Sequence, residues 1–135
     1  MVAGVGGITD PGTVARAEVP QEWFERMRAL VAPLPEADEQ AAWTGRRWRV
    51  RGKTFAHLFG GEDQLLRVTV RAEMSEVAAF EHSGPPYFRV GGNSVGLVVD
   101  ESTDLTELAE LITDSYCLRA PEELASQVRR PGPAT

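Results

Sequence analysis

Between Trp43 and Val70 the chain shows strand-like alternation interrupted only by short turns, and no other stretch restricts the fold as much. Trp48 and Val50 alternate with Arg47, Arg49 and Arg51, so a strand here has one apolar and one basic face. Gly52 permits a tight turn into a second strand, Lys53 to Phe59. Gly60-Gly61-Glu62-Asp63 then turns the chain into a third, Leu65 to Val70. Strands joined this closely pair antiparallel, because a parallel neighbour requires a crossover of roughly a dozen residues or more.

Helical periodicity flanks this meander. Pro20 suits a first helical position, and Phe24, Met27, Leu30 and Val31 recur at helical spacing until Pro33 and Pro35 stop the helix near Ala32. A shorter helix is expected from Glu73 to His82, ended by Ser83-Gly84-Pro85-Pro86. Tyr87 to Val90 and Val95 to Val99 form a second hairpin about Gly91-Gly92-Asn93-Ser94. Asp104 caps the next helix with Glu107 answering it, and Leu105, Leu108, Ile112 and Tyr116 supply its buried stripe. Pro121 opens a last short helix, Glu122 to about Val128. The expected fold class is α+β: a five-stranded antiparallel sheet with helices on one face, in the order α-β-β-β-α-β-β-α-α.

Domain count follows from length and linker content. A chain of 135 residues without a mid-chain Pro/Ser/Gly stretch fits one domain, expected at 19–128, with 1–18 and 129–135 as disordered or frayed ends. Cys117 is the only cysteine, which excludes an internal disulfide and fits a reducing, cytoplasmic setting. No apolar run approaches the ~20 residues of a membrane span, and no basic, then apolar leader precedes the domain. A net charge of -6 argues against broad adhesion to nucleic acid or anionic lipid, so any such contact needs a local patch.

Such a patch exists. From residue 46 to 71 the chain holds Arg46, Arg47, Arg49, Arg51, Lys53, Arg67 and Arg71 against only Glu62 and Asp63, a local charge of +5. Arginines sharing a strand face, with Arg67 and Arg71 aligned across the sheet, offer charge-assisted hydrogen bonds to phosphates. The competing expectation is a solvated face neutralised by acidic helices or by a partner. Among nearby aromatics, Phe55, Phe59, Tyr87 and Phe88 are assigned to packing, leaving Trp43 as the residue open for base stacking.

Catalytic and metal inventories are thin. His57, His82 and Cys117 form no recognisable nucleophile and base arrangement, and Cys117 reads as a small packed hydrophobe. No Cys or His pair has ligand spacing, and Asp100-Glu101-Ser-Thr-Asp104 reads as a turn and helix cap rather than an oxygen-ligand loop. Glu101, Asp104, Glu107, Glu110 and Asp114 read as a solvated acidic face. Gly4-Val5-Gly6-Gly7 lacks the strand and the Lys-Ser/Thr of a phosphate loop. No catalytic residue, metal or cofactor is expected.

Three segments carry a family resemblance: Trp48-Arg-Val-Arg-Gly-Lys-Thr-Phe-Ala56, Arg67-Val-Thr-Val-Arg-Ala72, and Leu108-Ala-Glu-Leu-Ile-Thr-Asp-Ser-Tyr-Cys-Leu-Arg-Ala-Pro121. Together, over about Trp23 to Leu124, the chain resembles the MmcQ/YjbR family. Val95 stands where relatives commonly carry Trp, and Glu122-Glu123 where they often carry Lys and Arg. The resemblance implies a CyaY-like fold and a DNA-binding role attributed to paired hairpins. Two functions are therefore expected in order: a non-enzymatic protein that docks its basic sheet face and hairpins on the DNA phosphate backbone, and a chaperone-like module that holds a protein partner or self-associates through the open sheet.

Overall fold

The alternation around Trp48 is realised as the second strand of a six-stranded antiparallel sheet. A computed structural model describes residues 15–128. Its elements are α1 (Gln21–Val31), β1 (Ala37–Ala41), β2 (Arg46–Val50), β3 (Lys53–Gly60), β4 (Leu66–Arg71), α2 (Met74–Ser83), β5 (Tyr87–Gly91), β6 (Ser94–Val99), α3 (Leu105–Arg119) and α4 (Glu122–Ala125). Across the sheet the strands run β1-β2-β3-β4-β6-β5.

The sheet has one strand more than expected from sequence. β1, Ala-Asp-Glu-Gln-Ala, lacks β-branched and aromatic residues, and it is an edge strand paired only to β2. Its backbone is held by that pairing, Ala37 opposite Val50 through Ala41 opposite Arg46. The outer parts of the expected disordered ends, 1–14 and 129–135, lie outside the described residues. Residues 15–18 run along the β3–β4 turn, where Ala17 N donates to Gly61 O at 3.0 Å and Gln64 Nε2 to Ala15 O at 2.7 Å.

Packing explains the helix placement. Trp48, Val50, Leu58, Val68, Val70, Val95, Leu97 and Val99 are buried on one sheet face and meet Trp23, Met27 and Val31 of α1, Val77 of α2 and Leu108, Ile112 and Tyr116 of α3. Leu105, expected in that stripe, is instead exposed at the start of α3. Asp104 Oδ1 accepts from Thr106 N at 2.9 Å and Glu107 N at 3.2 Å, so the cap forms. Glu107 does not close it reciprocally; its carboxylate accepts from the Tyr87 hydroxyl instead.

Two polar ties fix α3 to the sheet and to the α1–β1 linker. Ser115 Oγ, fully buried, donates to Phe55 O at 2.6 Å and accepts from Arg71 N at 2.8 Å. Tyr116 Oη donates to Pro35 O at 2.6 Å, and burial pushes that phenol above its ordinary pKa. No helix among the described residues is long and apolar enough to cross a membrane.

Candidate functional site

With the helices on one side, the described residues leave the other face of the sheet uncovered. The register places Gln40, Arg47, His57, Thr69, Gly96 and Phe88 in one row across all six strands on that face. A parallel row carries Asp38, Arg49 and Thr54, with Arg71 opposite Ser94, and a third carries Phe59, Arg67 and Val98.

Of the seven basic residues expected to form the patch, Arg47, Arg49, Arg67 and Arg71 lie on this face and Arg46, Arg51 and Lys53 do not. Arg46 lies opposite Leu58, on the helix-covered side. It binds Glu39, whose carboxylate also takes two hydrogen bonds of 2.8 Å from Arg28. Arg28 first, then Arg46, holds the Glu39 carboxyl down at about 2. Arg49 pairs with Asp38 at 3.4 Å, and Arg51, in the β2–β3 turn, with Glu36 at 2.6 and 3.0 Å. Arg67 grips Asp63, with Nη1 to Oδ1 at 2.8 Å, and keeps that carboxyl far below its usual range.

The neutralising carboxylates come largely from the strand that sequence reasoning missed. Glu36, Asp38 and Glu39 lower the local charge from +5 to +2. Three of the expected residues, Arg47, Lys53 and Arg71, make no ion pair among the described residues, and the Arg71 guanidinium donates there to Ser94 Oγ, at 3.2 Å. Arg47 and Arg71 both lie on the uncovered face; Lys53 is exposed at the hairpin end opposite Val50.

Aromatic placement also departs from expectation. Phe55 and Phe59 have the same parity and would share a face in a regular strand. A register shift between Trp48 and Arg49 leaves Phe55 without an opposite number in β2. Phe55 is buried with its ring edge-on to Tyr116 at 5.4 Å, while Phe59 stays on the uncovered face, 4.7 Å from His57. Phe88 lies there as well, with the Arg67 guanidinium 5.7 Å above its ring. Tyr87 turns to the helix side, where burial first and the bond to Glu107 second push its pKa up. Trp43 is 95% exposed in the β1–β2 loop.

Both hairpin tips point to one end of the sheet. β2 and β3 turn at Arg51–Gly52, β5 and β6 at Gly92–Asn93, and Arg71 ends β4 between them. Below the tips a cavity of about 230 Å³ opens beside Arg71, with Arg119 of α3 also in its wall. Arg119 was not singled out from sequence, although it follows Ser115 by four residues and so shares its helix face. No group of three or more His, Cys, Asp or Glu that could hold a metal occurs among the described residues.

The YjbR family profile matches residues 32–118. Among solved structures the chain is similar to protein DR2400 of Deinococcus radiodurans, a crystal structure with a DUF419 domain. The TM-score is 0.58 and the identity 17%, over 70% of this chain and 76% of that one. Comparison with curated proteins gives no match.

Proposed function

The chain belongs to the YjbR family, and from that premise we propose that it is a non-enzymatic binding protein that lays its uncovered sheet face and hairpin tips on the phosphate backbone of DNA. One observation carries this: among the described residues, the two guanidinium groups of the basic segment with no carboxylate partner, Arg47 and Arg71, lie on the sheet face that no helix covers. His57, Phe59 and Phe88 on the same face and the exposed Trp43 supply stacking surface for unpaired bases. A CyaY-like fold is part of the proposal, supported by the gathering of the helices on one side of a single antiparallel sheet. A cytoplasmic setting is supported by the single cysteine.

Internal ion pairing sets the strength. With about two or three phosphates neutralised, the slope of log K against log salt is about −2 to −3. Fluorescence anisotropy against labelled duplex and single-stranded DNA at about 50 and 200 mM salt tests this. The expected result is weak, salt-sensitive binding that Arg47→Glu abolishes and Arg26→Gln, on the helix side, leaves intact. Absence of binding at low salt, or indifference to Arg47→Glu, refutes it.

A second role, a module for protein partners or self-association, is favoured by a different observation. An open apolar depression lined by Pro85, Pro86, Phe88 and Val98 lies on the β5 side of the sheet, and Trp43 is bare at the other. Trp43→Ala and Phe88→Ala would then weaken partner capture or a monomer–dimer equilibrium with no salt dependence.

A further inference from the structure

β3 and β4 are hydrogen-bonded only from Ala56–Val70 to Gly60–Leu66. Beyond that point Ser115 takes over, holding Phe55 O and Arg71 N, and the sheet splits. The cavity beside Arg71 occupies this split. Its wall brings together Arg71, Arg119 and His57 with the hydroxyls of Thr54, Thr69 and Ser94, and contains no carboxylate.

Arg119 Nε is buried without a hydrogen-bond partner among the described residues, whereas buried donors are normally satisfied. The Arg71 guanidinium donates to Ser94 Oγ and, among the described residues, to no acid. His57 Nε2 donates to Thr44 O at 2.6 Å, which fixes the ring at the cavity's edge. Two guanidinium forks and three hydroxyls are donors in excess, and the chemistry that satisfies them is an oxyanion with several oxygens. At about 230 Å³ the space is below the roughly 300 Å³ of the smallest drug-sized sites, so it fits one anionic group rather than a whole nucleotide.

We propose that this split is a phosphate-binding pocket that takes a phosphomonoester group. A monoester offers three terminal oxygens to converging donors, whereas a diester offers two and carries a substituent on each side, for which a cavity walled by four strands and a helix end leaves less room. The pocket goes beyond the backbone contact proposed above and stands without it, because its donors are satisfied by inorganic phosphate alone.

The test is a titration of ¹⁵N-labelled protein with inorganic phosphate at constant ionic strength, followed by NMR. The expected result is saturable shifts of the Arg71 and Ser94 amides and of the Arg119 Nε–H signal. Affinity should fall by about tenfold or more in Arg119→Met, as for loss of a hydrogen bond to a charged group. Thr69→Val, which keeps the strand surface, provides a second variant with a smaller loss should Arg119→Met unfold. A matched pair of oligonucleotides, 5′-phosphorylated and 5′-hydroxyl, then separates the sources. Preference for the phosphorylated one supports the pocket with a nucleic-acid end as ligand; equal binding of both, with saturable inorganic phosphate, supports it with free phosphate as ligand. Shifts that do not saturate, or that persist unchanged in both variants, overturn the pocket whether or not duplex DNA binds.

Discussion

Glu36 and Arg51 hold each other by a two-pronged ion pair, and both have left-handed backbones, φ 58° and 49°. Arg51 and Gly52, φ 81°, are the two central residues of the β2–β3 hairpin, a turn whose positive φ values match the strand twist. An L-residue at the first central position is strained, and glycine is not. Arg51→Gly and Arg51→Ala lose the same ion pair, so comparing them isolates the backbone. Arg51→Gly is expected to melt at the higher temperature by circular dichroism; equal or reversed melting would show that the turn conformation does not limit the hairpin.

Ser115 is the only side chain that bonds β3 and β4 where their ladder ends, among the described residues. Ser115→Ala leaves a buried carbonyl and a buried N–H without partners, each worth about 1 to 3 kcal/mol. Urea unfolding of Ser115→Ala should show a loss of about 2 to 4 kcal/mol. A loss under about 0.5 kcal/mol, the size of an ordinary surface substitution, would mean that water replaces the hydroxyl.

The sheet was legible wherever side-chain alternation reported burial. Trp48 and Val50 against Arg47 and Arg49 gave the faces of β2 correctly, since each pair lies on opposite sides. β1 was illegible because Ala37-Asp-Glu-Gln-Ala41 forms through pairing with β2 and through Arg49 and Arg46 on its carboxylates, not through apolar burial. That omission made the arginines look free. Phe59 was misassigned to the core because a one-residue register shift leaves no mark in the sequence. Arg119 became visible only once α3 was seen to place it in the split beside Arg71.

Glu39 joins α1 to the sheet by accepting from Arg28 and Arg46, and its carboxyl is lowered from 4.5 to about 2. A depressed carboxylate stabilises the fold fully above its unfolded pKa and loses that contribution as pH falls through the folded value. The window is therefore pH 4.5 down to about 2. With the side chain 19% exposed, the contribution is on the order of 2 kcal/mol after screening. Denaturant midpoints for the wild-type protein should be flat above about pH 5 and decline below it, more steeply than for Glu39→Gln. Parallel acid profiles for the two proteins would remove Glu39 from acid stability.

Phe88 lies across Gly96 on the uncovered face, so close that a Cβ on Gly96 would stand 2.3 Å from the ring. Gly96 is buried beneath it, and a strand glycine covered by a neighbouring aromatic recovers some of the packing it lacks. Gly96→Ala must displace the ring, at a cost of about 1 kcal/mol because the side chain swings toward solvent rather than into a core. In Phe88→Ala there is no ring to displace, and the same Gly96→Ala change should be neutral or favourable for a strand. A double-mutant cycle by urea unfolding should therefore give a coupling of about 1 kcal/mol. Additivity within about 0.3 kcal/mol would place the ring elsewhere in solution and leave the depression beside Arg67 and Val98 without its wall.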